Sequence, residues 1–128
     1  MTRTKMTLVV VALMIATAGA WTTAQNKFGT PKTIIHLSLI QWKAGVSDAD
    51  KKKSLDGVKE MAGKIPGIRN VWTKALRMQP EGYQDAFVIE FENQAAADRY
   101  AKDPVHDAWT TAFVAIREAS ISPQITND

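Results

Sequence analysis

The most constraining stretch of this chain is an extended run without a polar side. Residues 33–43, TIIHLSLIQWK, are rich in Ile, Leu, Thr and Trp, types that suit a pleated, packed surface. Side chains alternate across a strand. Ile35, Leu37 and Leu39 therefore form one face, and Ile34, His36, Ser38, Ile40 and Trp42 the other. Both faces are largely apolar, so both need cover. Helices can supply one layer, and a second copy of the chain is the simplest cover for the other. A strand of this kind excludes a solvent-facing sheet and makes a dimer the natural expectation.

The rest of the chain supplies the helical layer. Ser47, with Asp50 three residues on, has the form of a helix start. Leu55, Val58, Met61, Ala62 and Ile65 then recur at helical spacing until Pro66-Gly67 ends the helix. A second strand is expected over residues 68–78, a turn over 79–82, and a third strand over 83–92. In that third strand Phe87, Ile89 and Phe91 share one face, and Ala86, Val88 and Glu90 the other. Asn93 caps a helical stretch that Asp103-Pro104 interrupts, Pro104 standing well at a new first position. The segment 104–116 carries Val105, Ala108, Trp109 and Phe113 on one face, and residues 117–125 form a last strand. The order β-α-β-β-α-β is the split βαβ plan of an α+β domain. It implies one four-stranded antiparallel sheet, both long helices on one face, and a single domain over residues 33–125.

The N-terminus reads as an address. Arg3 and Lys5 precede an uncharged run, MTLVVVALMIATAGA, that ends in small residues. This is the layout of a signal peptide over residues 1–24, cut after Ala20 or Ala24, with a polar linker over 25–32. The run is short for a bilayer span, which takes about 20 apolar residues. The expectation is export to a periplasmic or extracellular location, with no membrane association after cleavage. The chain has no Cys, which removes a lipid anchor, a disulfide framework and a thiol nucleophile. Taking Arg3 and Lys5 from 16 basic residues leaves 14 against 13 acidic ones, a net of +1. The one basic cluster, Lys51, Lys52 and Lys53, is flanked by Asp48, Asp50 and Asp56. No nucleic-acid partner is expected from such a balance.

Three stretches carry a family resemblance: HLSLIQWKAGVS opening a strand, KIPGIRNV after the first helix, and DAFVIEFENQAAADRYAKDPVHDAW. The order and spacing of His36, Ile65-Pro66-Gly67, Phe91, Tyr100 and Pro104-x-His106 resemble the stress-responsive dimeric α/β-barrel domain family. The resemblance implies a ferredoxin-like fold in which two subunits pair sheet to sheet and close a barrel. Some plant members resemble enzymes that cyclise poly-β-keto chains with a Tyr and a His as the acid–base pair. Carried over by position, that pattern implies Tyr100, His106 and His36 as catalytic groups. Asp103 stands where those cyclases can carry a second His.

Chemistry read from the residues stays open between two classes. His36 and His106 are the only histidines, and a neutral imidazole titrates where proton transfer is useful. With Tyr100 as a donor to a developing enolate, the trio suits proton abstraction beside a carbonyl without a cofactor. The reading the sequence favours, since it shows no unambiguous catalytic set, is a binding or structural homodimer that holds a small apolar or carbonyl ligand; the cyclase-like or monooxygenase-like enzyme is the alternative. Ser38, Ile40, Trp42 and Trp109 are then the expected pocket walls. No metal-ligand spacing, Gly-rich phosphate loop or G-x-S-x-G elbow is present, so neither a metal nor a cofactor is expected.

Overall fold

The computed structural model describes residues 31–79 and 81–127. The expected signal peptide over residues 1–24, most of the linker and Pro80 of the expected turn lie outside them. The elements are β1 (Ile34–Trp42), α1 (Asp48–Ala62), β2 (Ile68–Trp72), β3 (Asp85–Phe91), α2 (Gln94–Tyr100), α3 (Pro104–Ile116), β4 (Arg117–Ile121) and β5 (Gln124–Ile125). The strands form one antiparallel sheet in the order β2-β3-β1-β4, with β5 also paired to β1. This is the ferredoxin-like α+β arrangement.

Register decides which side chains meet the helices. Ile34 pairs Phe91, His36 pairs Ile89 and Ser38 pairs Phe87. Paired residues share a sheet face, and these six rise into the helical layer. There Ile40, Val58, Met61, Ile89, Phe91 and Ala96 are fully buried in one core. Ile35, Leu37 and Leu39 point the other way with Ala86 and Val88. On that open side Trp72 is 51% and Ile125 59% exposed.

The helix starts are set by local hydrogen bonds. Ser47 Oγ accepts from Asp50 N at 3.1 Å, and Asn93 Oδ1 accepts from Ala96 N at 2.9 Å. Pro104 occupies the first turn of α3 behind Asp103, whose carboxylate accepts from Val105 N at 2.8 Å. Each cap satisfies an amide that has no partner inside the helix.

Three boundaries differ from the sequence expectation. The first helix ends at Ala62, with Gly63 as its cap, and not at Pro66. Ile65 is still buried, but from the turn beyond the helix. The second strand stops at Trp72; beyond it Ala75 is half-buried and Leu76 is 89% exposed. The connection 73–84 is long, and Ala75 and Met78 border a space of about 260 Å³ with Leu37, Leu39 and Val88. The last strand is broken between Ile121 and Gln124, so the sheet has five strands where four were expected.

One glycine is required by the packing of α2. Gly67 has φ +91°, and a Cβ there would stand 2.6 Å from Ala96 Cβ. Both the left-handed backbone and the close approach exclude a side chain. This contact seats α2 against the start of β2, and so positions the helix end that carries Tyr100.

Candidate functional site

Three elements bring His36, Ser38, Tyr100 and His106 to one place over the sheet. His36 and Ser38 stand on the helix-facing row of β1. Tyr100 ends α2, and His106 lies in the first turn of α3. The Asp103 cap and Pro104 turn the chain between these two short-range neighbours, so both rings fall over β1. The Tyr100 ring centroid is 4.2 Å from His106 and 6.3 Å from His36. The three side chains line one cavity of about 180 Å³.

The walls of that cavity are of two kinds. Phe87, Trp109 and Phe113 form an aromatic side, with Trp109 stacked on Phe113 at 4.7 Å and edge-on to Phe87 at 5.6 Å. Ser38, Ser120, Ser122, Thr110 and Arg117 supply hydroxyls and one cation. Ser38 and Ser122 share a hydrogen bond of 3.0 Å. Among the described residues, no carboxylate lines the cavity. Larger grooves of about 290 and 470 Å³ lie between α1 and α3 on either side of Trp109, and none of His36, Tyr100 and His106 borders them.

Burial sets the protonation states. The His36 pKa is lowered, first by burial and then by the neighbouring His106. The His106 pKa is lowered by burial, against an opposing pull from Asp107 and Asp103. Burial drives the Tyr100 phenol strongly upward; the side chain is only 3% exposed. At neutral pH the trio is therefore two uncharged imidazoles and a protonated phenol. Each imidazole then carries one N–H and one lone pair.

The hydrogen bonds leave part of this chemistry unused. His106 Nε2 is 3.1 Å from Thr110 Oγ1. With Thr110 accepting, the His106 Nδ1 lone pair is the free base; with Thr110 donating, Nδ1–H is the free donor. Among the described residues, Nδ1 of His36, Nδ1 of His106 and Nε of Arg117 are buried without partners. Buried polar atoms are paired in the great majority of cases. A fourth such atom, Ser54 Oγ, lies away from this cavity, whereas the other three belong to residues that line it.

Not every expected pocket residue is here. Ser38 and Trp109 line the cavity; Ile40 and Trp42 do not. They lie further along the same row, where the sheet is sealed. Ile40 is fully buried, and Trp42 packs edge-on to Phe113 at 5.9 Å while its Nε1 donates to Asp85 Oδ2 at 2.7 Å. Trp109 Nε1 donates to Ser54 O at 2.8 Å, so its ring is fixed by α1. Sequence reasoning missed Arg117, Ser120 and Ser122. The signal lay in register: Ser120 pairs Ile40 and Arg117 pairs Trp42, which sets both on the helix-facing side. Among the described residues, no group of three or more His, Cys, Asp or Glu could hold a metal ion, and no helix is long and apolar enough to cross a membrane.

Comparison with known proteins agrees with this architecture. A dimeric protein of unknown function from Bacteroides fragilis has a similar structure, with TM-score 0.58, 24% identity, and 74% of this chain and 96% of that one covered. A Dabb-family protein from Mesorhizobium loti with a ferredoxin-like fold gives TM-score 0.65 at 22% identity, covering 75% and 97%. The hydroxynitrile lyase of Passiflora edulis gives TM-score 0.70 at 12% identity, covering 77% and 95%. The search of curated proteins finds no match. The sequence model of the stress responsive A/B barrel domain, Dabb, matches residues 34–123, and the chain belongs to that family.

Proposed function

We propose that this Dabb-domain protein is an acid–base enzyme acting on a small carbonyl compound, with His36, Tyr100 and His106 as its catalytic residues. The observation that carries the reading is the convergence of two imidazoles of lowered pKa and a protonated phenol on one cavity. A neutral imidazole takes the proton from the carbon next to the carbonyl. The C–H electron pair becomes the enolate, and the Tyr100 hydroxyl donates a hydrogen bond to its oxygen. The imidazolium then returns the proton to the same carbon or to another position of the enolate. All groups needed for this cycle are side chains of the chain itself. The Passiflora edulis neighbour, named as a hydroxynitrile lyase, is an instance of catalysis on this fold.

The aromatic wall of Phe87, Trp109 and Phe113 favours a second reading, in which the cavity only holds an apolar or carbonyl ligand. Deuterium uptake at the central carbon of 2,4-pentanedione in D2O separates the two. The enzyme reading expects a rate above background that falls in His106→Ala and Tyr100→Phe. Binding of the diketone without any acceleration would contradict it and leave the ligand-holding role.

We further propose that two copies pair through their open sheet faces. The apolar row Ile35, Leu37, Leu39 and Val88 with exposed Trp72, and the description of the Bacteroides fragilis neighbour as dimeric, support this. Export with cleavage after Ala20 or Ala24 is a proposal that rests on residues 1–24. Intact mass of the exported protein should place its first residue at Trp21 or Gln25, and a full-length chain outside the cytoplasm would contradict cleavage.

A further inference from the structure

We propose that the carbonyl compound also carries a carboxylate, and that Arg117 receives it; this rests on the acid–base reading of His36, Tyr100 and His106. Arg117 opens β4 opposite Trp42, so its side chain rises on the helix-facing side of the sheet. Its guanidinium lies 5.5 Å from the Phe113 ring centroid. Nη1 donates to Ser120 Oγ at 2.9 Å, which fixes the plane of the group. Nε is buried and has no partner, and no ion pair of Arg117 occurs among the described residues.

A guanidinium stays charged at any working pH, and that of Arg117 is half-buried at the cavity wall. Here the cavity beside it offers no counter-charge: its lining includes Arg117 and no Asp or Glu. An anionic group of the ligand would supply that counter-charge. A planar fork of N–H donors matches a carboxylate with two parallel hydrogen bonds. The Ser38–Ser122 hydroxyl pair adds neutral hydrogen-bonding groups to the same lining as His36. The cavity of about 180 Å³ fits a short oxo acid. One end of such a molecule meets Arg117 and Ser120, and its carbonyl meets Tyr100 and the imidazoles.

The test compares acetoacetate with its methyl ester, which differ in the negative charge. Binding to the full-length purified protein is read by calorimetry, with inorganic phosphate and acetate as competing anions. Acetoacetate is expected to bind about ten- to a hundredfold more tightly than the ester, the range for a hydrogen bond to a charged group. Arg117→Met should erase that preference, and Arg117→Lys should restore part of it. A ratio near one in the unaltered protein overturns the proposal, whether or not Arg117→Met folds. A preference that survives in folded Arg117→Met overturns it too. Tighter binding of phosphate than of acetate overturns the carboxylate assignment. Exchange of 2,4-pentanedione without an anion preference removes the Arg117 site and leaves the acid–base reading intact. Anion preference without exchange keeps the Arg117 site and removes the acid–base reading.

Discussion

His36 and Leu37 are neighbours in the chain and belong to opposite faces of one sheet. On the His36 side, α1, α2 and α3 close over the strands and the packing is aromatic and dense. Yet that side keeps three unpaired polar atoms around a cavity. On the Leu37 side the strand residues are apolar and, among the described residues, no helix covers them, although the segment 73–79 borders Leu37 and Leu39. An unpaired buried polar group costs roughly 1–3 kcal/mol, and an open apolar face favours association. The covered face thus gathers titratable side chains around a cavity, in the pattern expected of a site, and the open face retains unburied apolar surface, in the pattern expected of an interface. The proposed chemistry and the proposed dimer contact fall on opposite sides of β1.

The largest effect should follow from emptying the covered face. Phe91 is fully buried and its ring lies 4.9 Å from Tyr100. Phe91→Ala is expected to cost about 3–5 kcal/mol in denaturant unfolding. A loss below about 1 kcal/mol would mean that the core does not depend on this row.

Next comes the open face. Leu37→Asp sets a carboxylate in the middle of the apolar row and should convert a dimer into a monomer, read as a halved mass by light scattering. Loss of secondary structure together with the mass change would contradict the separation of the two faces, since Leu37 lies outside the core cluster.

A smaller effect concerns pH. His36 and His106 have folded pKa values below the ordinary 6.5. The unfolded chain therefore binds protons first as pH falls. The stability tied to these two groups is complete above pH 6.5 and is lost as pH drops through the lowered folded values. Thermal unfolding between pH 7.5 and 5 should show a falling midpoint, with a shallower fall in His36→Gln. An equal slope in that variant would detach His36 from the effect.

The sequence carried the faces more firmly than the boundaries. Alternation in residues 33–43 and 83–92 separated Phe87, Ile89 and Phe91 from Ala86 and Val88, because a strand period of two leaves no third arrangement. Ser47, Asn93 and Pro104 marked helix starts through local hydrogen bonding that needs no tertiary context. The end of β2 was not legible, because Ala75 and Leu76 continue the apolar pattern and only the fold reveals that Leu76 is left exposed. For the site, Pro104 between Tyr100 and His106 made a shared location readable. Arg117, Ser120 and Ser122 were not readable, since their place depends on the β1–β4 register and its shift between Gln41 and Trp42.

The most direct measurement compares deuterium uptake by 2,4-pentanedione in Leu37→Asp and in His106→Ala, with the mass and circular dichroism of each recorded alongside. The account predicts that folded, monomeric Leu37→Asp exchanges the diketone at the rate of the unaltered protein. It predicts that dimeric His106→Ala falls by about a hundredfold or more, the scale of a lost acid–base group. Exchange that disappears with the dimer and persists without His106 would contradict it, and would move the chemistry to the open face of the sheet.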